Sequence, residues 1–303
     1  MYYLTGFTDE AADSIDDQIG VIKDLGWSHL ELRAVDGVNA HNLTESDFET
    51  VRRKIEGAGI QVSCLGSNIA NWGIGIETPF EETWEVVKRA ADRAKQLGTS
   101  YVRIMSYAIR QGNNKEILVD QKEEERFRRL RLVTKELLDN GLTPVHENCF
   151  NYGGMSWKHS LKLIEEVPGL KLAYDTGNPR LQYDYGDDNK NTGELELQDP
   201  WTFYSKVKEH IEYVHIKDAV LDTETGHEDY YFPGEGAGDV RRIVKDLLDG
   251  GYEGGFSMEP HMAVVYHDSS VTSNKEQRYT NFLEYGRRFM KLLEELRYPY
   301  KAK

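Results

Sequence analysis

Residues 143–149, TPVHENC, and residues 170–176, LKLAYDT, decide the fold. Each is a short apolar run of strand character that ends on a carboxylic acid, Glu147 in the first and Asp175 in the second. The same form recurs downstream. EYVHIKD at 212–218 carries His215, and GGFSMEP at 254–260 carries Glu259. Upstream lie four more apolar runs, YYLTGF from residue 2, HLELRA from 29, IQVSCLG from 60 and YVRIMSY from 101. The eight starts, 2, 29, 60, 101, 143, 170, 212 and 254, are 27 to 42 residues apart, the length of one strand–helix unit.

The intervening segments carry helix signals. Ile15, Ile19, Ile22 and Leu25 recur at helical spacing and Gly26 stops the run. Thr78-Pro79 reads as an N-cap followed by proline at the first helical position, ahead of Phe80, Trp84, Val87, Ala91 and Ala94. Asp199-Pro200 repeats the device before Trp201, Tyr204 and Val207. Gly98, Gly141 and Gly250 stand where helices should end, and a last helix is expected from about Lys275 to Leu296.

Eight alternating strands and helices predict an α/β protein, a single (β/α)8 TIM barrel over residues 1–303. A doubly wound open sheet should show a Gly-rich phosphate turn after its first strand; TDEAADS follows here instead. Two long non-periodic stretches, 180–199 and 219–240, each follow a strand and are expected as loops or lids over the active-site face.

Composition bounds the function. Of 303 residues, 39% are hydrophobic and 29% charged, a balance that supports a large core, and the net charge of −15 argues against a nucleic-acid partner. No apolar run approaches the ~20 residues of a membrane span, and MYYLTGFTDEAADS does not read as a secretory signal. The two cysteines, Cys64 and Cys149, lie in strand-like runs and make no disulfide scaffold, so a cytoplasmic location is expected.

In a barrel, polar residues at the C-terminal ends of strands do the chemistry. Glu147, Asp175, His215 and Glu259 end four successive strands. Three carboxylates converging at one pole repel one another unless a cation sits between them, so one divalent ion is expected. Three oxygens and one imidazole suit Mn2+ first, with Mg2+, Co2+ and Zn2+ compatible. Glu10, Arg33, Asn68, Trp72 and Arg103, on or after strands one to four, are candidate substrate contacts, as is His261. Lys217 shares the His215 face of its strand and is placed to face a developing enediolate. His146 and Asn148 point to the other side of their strand and are expected as support. His41, His159, His210 and His227 read as surface or loop residues.

At this point the chain resembles the sugar phosphate isomerase/epimerase family with the xylose-isomerase-like barrel. The marks are FTDEAAD at 7–13, ELR at 31–33, HENC at 146–149, YDTGNP at 174–179, HIKD at 215–218, GEGAGD at 234–239 and GYEGGFSMEP at 251–260. The resemblance implies that Glu147, Asp175, His215 and Glu259 are the metal ligands, in order and strand. It departs at one place: ketose epimerases of that family usually carry a His three residues after the strand-six Asp, in contact with metal-bound water or substrate, where this chain has Asn178, expected there as a substrate contact.

Residues and resemblance together lead to a metal-dependent isomerase or epimerase of a small, unphosphorylated sugar, keto-sugar or polyol, with Glu147 and Glu259 as acid and base. A dehydratase would use the same groups. Phosphodiester cleavage would need more histidines at the strand ends, and a non-catalytic sugar-binding protein would not need all four ligands. Homo-oligomerisation is left open.

Overall fold

The computed structural model describes residues 2–186, 195–265 and 273–301. Eight parallel strands, β1 Tyr3–Gly6, β2 His29–Leu32, β3 Gln61–Gly66, β4 Tyr101–Ile104, β5 Thr143–Glu147, β6 Lys171–Asp175, β7 Ile211–Ile216 and β8 Gly255–Met258, alternate with helices. These are α1 Ile15–Asp24, α2 Glu45–Gly57, α3 Phe80–Leu97, α4 Glu123–Asp139, α5 Trp157–Glu166, α6 Pro200–Val207, α7 Val240–Asp249 and α8 Lys275–Glu295. The sheet runs β2 to β8 in chain order and then returns to β1. At the β1–β2 seam Phe7 bridges Glu31, so the result is a nearly closed (β/α)8 barrel.

Strand alternation sorts the side chains. In β5, Val145 and Glu147 face the barrel interior and His146 faces the helices; in β7, Tyr213, His215 and Lys217 share the inner face. Cys64, Val145, Ala173 and Tyr213 fill the interior below the mouth, with Tyr3 and Tyr101 packed against them. Outside, the buried faces of the helices, such as Val87, Ala90 and Ala94 of α3 and Ile243, Val244 and Leu247 of α7, cover the sheet.

Several helix ends form as their sequence reads. Ser14 accepts from Asp17 N, and Asp199 accepts from Thr202 N with Pro200 in the first turn. Gly98 takes the left-handed conformation (φ 69°) that closes α3. Two details differ. Pro79, with extended ψ of 133°, is itself the N-cap of α3, so Phe80 rather than proline opens the helix. Thr78 instead gives its carbonyl to Arg129. Gly250 caps α7 where the sequence reads its end, but with a helical φ, and Gly251 (φ 82°) makes the left-handed turn.

The segments after β2 and β7 are more ordered than loops. After β2, Ala34–Val35 pairs with Val38–Asn39 and a 3-10 turn follows at Ala40–Asn42. That turn packs on α3 and buries His41 completely, contrary to the surface position expected for it. Burial lowers the His41 imidazole to about 4. After β7, Asp218–Leu221 and Glu228–Tyr231 form an antiparallel hairpin within the 219–240 stretch. In the 180–199 stretch, Tyr183 bridges Leu197, while residues 187–194 lie outside the described residues. Among the described residues no helix is long and apolar enough to cross a membrane.

Candidate metal centre

Four strand ends meet at one point. Glu147 closes β5, Asp175 closes β6, His215 lies in β7 and Glu259 follows β8 directly. One ligand atom from each lies within 4.8 Å of the others, and all four residues are buried. Asp175 Oδ2, His215 Nδ1 and Glu259 Oε2 are buried and face one another at the centre of the cluster. The Lys217 ammonium is shared between Asp175 Oδ2 and Glu259 Oε2, and His215 Nδ1 faces carboxylate oxygens, so the converging charge of three buried carboxylates fits a further cation. Three carboxylates and an imidazole are a donor set for a divalent ion, so this cluster can hold one.

The charges around the cluster are interlocked. Lys217 Nζ lies 3.1 Å from both Asp175 Oδ2 and Glu259 Oε2 and donates to Asn178 Oδ1 at 3.2 Å. Arg103 donates to Glu147 Oε2 at 2.8 Å. Burial raises the Glu147 carboxyl, but the Arg103 guanidinium overrides it and holds the group at about 2. Burial dominates at Asp175 and lifts it to about 7 against the pull of Lys217. Burial opposes charge on His215, yet the Glu31 and Glu147 carboxylates bring it up to about 10. Ligation would require both Asp175 and His215 to lose their protons, so ion binding here would be coupled to proton release.

Glu31 was not evident from the sequence as a site residue. It is fully buried inside the barrel, with Oε2 3.2 Å from His215 Nε2. Ser257 Oγ donates to it. The β2 register shifts between Leu30 and Glu31, a bulge that re-aims the side chain into the interior. With Nε2 occupied by Glu31, the free nitrogen of His215 is Nδ1, which faces Glu147 and Glu259 at 3.7 Å each.

Above the cluster opens a cavity of about 730 Å3. Its walls include Arg33, Asn68, Trp72, Arg103, Asn178, Lys217 and His261, together with Glu147 and Glu259. Asp175 and His215 lie deeper. Glu10 does not line the cavity. Its Oε2 accepts from the backbone of His261 at 2.8 Å, and its Oε1 lies 3.0 Å from His261 Nδ1 and 3.4 Å from Arg33. Its role in the geometry is to hold His261. Arg33 is gripped by Asp9 at 2.8 and 3.1 Å, a partner the sequence reading did not single out. His146 faces away from the interior toward Ser106 and Asn151. Asn148 brackets the Asp175 backbone, accepting from its N–H at 2.7 Å and donating to its carbonyl at 3.0 Å.

The glycine-rich segment 234–238 is pinned, not loose. Asp218 accepts from the N–H groups of Gly234 (2.8 Å), Gly236 (3.0 Å) and Gly238 (2.7 Å). A Cβ on Gly236 would come 2.4 Å from Asp218 Oδ1, so glycine is required there by close approach rather than by mobility. Tyr230 of the neighbouring hairpin lines the cavity, its ring 5.3 Å from that of His261.

Fold and site together define the class. The chain belongs to the xylose isomerase-like TIM barrel family, whose model matches residues 19–284. Among curated relatives, fructoselysine 3-epimerase of Escherichia coli O157:H7 is 22% identical over 192 residues. The match spans 62% of this chain and 62% of that protein, less than two thirds of its length. Among solved structures, a D-tagatose 3-epimerase-like protein superposes with a TM-score of 0.68 at 14% identity, covering 97% of this chain and 98% of the other. The probable 3-DHS dehydratase AsbF from Bacillus anthracis gives 0.64 at 17% identity, over 94% and 98% of the two chains. At these identities the superpositions establish the shared barrel.

Proposed function

We propose that the protein is a divalent-metal-dependent isomerase or epimerase of a small sugar or keto-sugar, working through an enediolate. The convergence of Glu147, Asp175, His215 and Glu259 at the floor of the cavity carries this reading. The family membership and the epimerase among its relatives support it. These four side chains would hold the ion, Mn2+ first among candidates. When bound, it polarises the substrate carbonyl and makes the adjacent C–H acidic.

The chain's own groups do the rest. One of Glu147 and Glu259 takes the proton from carbon while the electron pair moves into the carbonyl, giving the enediolate. Arg103, which keeps Glu147 ionised, keeps that carboxylate able to accept a proton. The buried Lys217 ammonium stands beside both Glu259 and Asn178 and faces the developing oxyanion. The step closes when the other Glu enters as the carboxylic acid: it gives its proton to the opposite face for epimerisation, or to the neighbouring carbon for isomerisation, and the pair ends with its two protonation states exchanged.

A second reading rests on Asn178. In place of the histidine usual in ketose epimerases stands an amide whose Oδ1 is engaged by Lys217 and whose Nδ2 donates to Glu147 at 3.4 Å. Loss of a β-hydroxyl from the same enediolate, a dehydratase reaction, uses the acid and base present without that histidine. Incubation of the Mn2+-loaded protein with a panel of ketoses and keto-polyols in D2O tests both readings. Deuterium at the carbon beside the carbonyl marks epimerase or isomerase chemistry, and loss of water from the product marks the dehydratase. No exchange and no product across the panel would contradict both.

A further inference from the structure

The cavity is larger than the sugar that the acidic centre would hold. A hexose has about twelve non-hydrogen atoms; at no more than the roughly 30 Å3 that one water takes in the liquid, they fill at most about 360 Å3. That is half of the 730 Å3 present, a volume typical of considerably larger ligands.

The surplus space has its own wall. Glu147, Asp175, His215 and Glu259 come from β5 to β8, whereas the far side of the cavity is built after β2 and β3, from Asn39, Asn68, Asn71 and Trp72. Trp72 is 40% exposed, a large apolar face left open on a cavity wall. An indole plane bordered by three primary amides suits a pyranose ring: the flat ring face covers carbon–hydrogen surface, and amides both donate to and accept from hydroxyls.

This wall is fixed in place. Met105 N donates to the Ile69 carbonyl at 3.0 Å and Tyr107 N to that of Ala70 at 2.6 Å. Ala70 sits at φ 52°, left-handed for a residue with a Cβ. Strain of that kind persists only where the surroundings over-determine it. Asn71 Oδ1 accepts from Gly73 N at 2.7 Å, and its carbonyl accepts from Ile74 N at 2.9 Å, closing a turn around Trp72.

We infer that Trp72, Asn39, Asn68 and Asn71 form a second sugar subsite, so that the substrate is a two-ring compound, a ketose carrying a glycosyl group, with its carbonyl end on the acidic centre. The inference rests on the sugar-processing reading of that centre. It does not depend on whether the enediolate is reprotonated or loses a hydroxyl.

The test compares fructose with its four glucosyl conjugates turanose, maltulose, leucrose and isomaltulose, which differ only in the hydroxyl that is linked. Each is titrated into Mn2+-loaded wild type and Trp72→Ala, with the Mn2+ affinity of both proteins measured alongside. At least one conjugate is expected to bind wild type about 10-fold or more tightly than fructose. Trp72→Ala should abolish most of that advantage with Mn2+ affinity unchanged. Fructose bound as tightly as all four conjugates, or an advantage that survives Trp72→Ala, overturns the subsite while leaving the sugar centre standing. Failure of wild type to bind Mn2+ overturns the centre itself and the subsite with it.

Discussion

His215 Nε2 lies 3.2 Å from Glu31 Oε2 inside the barrel, and this contact decides which imidazole nitrogen faces the acidic centre. Groups that hold the far nitrogen of a ligating histidine fix its ring and raise its basicity, and their loss costs about 10- to 100-fold in metal affinity. Glu31→Ala is therefore expected to weaken Mn2+ binding by that factor, read by calorimetry, with the circular dichroism of the fold retained. Unchanged affinity would remove Glu31 from the site.

Glu147→Gln and Glu259→Gln each take away a proton acceptor as well as a candidate ligand. Turnover on whichever ketose the wild type accepts is expected to fall about 10³-fold or more in each. The measurement is steady-state kinetics at saturating Mn2+, and wild-type turnover in either variant would refute the acid–base pair.

The hairpin over the cavity separates two adjacent tyrosines. Tyr230 lines the cavity and meets His261; Tyr231, next in the strand, points to the other side. Tyr230→Ala is expected to lower kcat/KM by about 10-fold, whereas Tyr231→Ala stays within about 2-fold. Equal losses in both would mean that the hairpin acts by packing alone.

These contrasts mark what the sequence discloses. The eight strands were legible because each is a compact apolar run and seven helical segments separate them at regular length. The four cluster residues were legible because an acid or histidine leaving such a run is conspicuous. Glu31 was hidden although the signal existed: it lies two residues before Arg33 and shares its inward face by alternation, while the bulge at Leu30/Glu31 that aims it is silent in sequence. His41 followed a loop-like stretch, and only the packing of its 3-10 turn on α3 buries it. The glycines of GEGAGD suggest mobility until Asp218, sixteen to twenty residues earlier, is seen to hold three of their N–H groups.

Two buried histidines that are not ligands, His41 and His146, the latter directly before Glu147 but facing the helices, give the protein an acid limit. Burial lowers both His41 and His146 to about 4 from 6.5. The folded state thus prefers the neutral ring, and the unfolded chain takes up the proton first. The stability they contribute is fully present above about pH 6.5 and is lost as pH falls toward 4, by up to about 3 kcal/mol each at roughly 1.4 kcal/mol per unit. Thermal melts between pH 7.5 and 4.5 should show His146→Gln falling less steeply than wild type. Parallel curves would place the acid sensitivity elsewhere.

Glu147, Asp175, His215 and Glu259 are expected to act together as one divalent-ion site. Its most direct measurement is calorimetric titration of Mn2+ into chelator-stripped wild type, Glu147→Gln, Asp175→Asn and Glu259→Gln. Wild type should bind one ion per chain with proton release, and affinity should be weakened about 100-fold or more in every variant. A wild type that binds no ion, or variants that bind it as tightly as wild type, would contradict it.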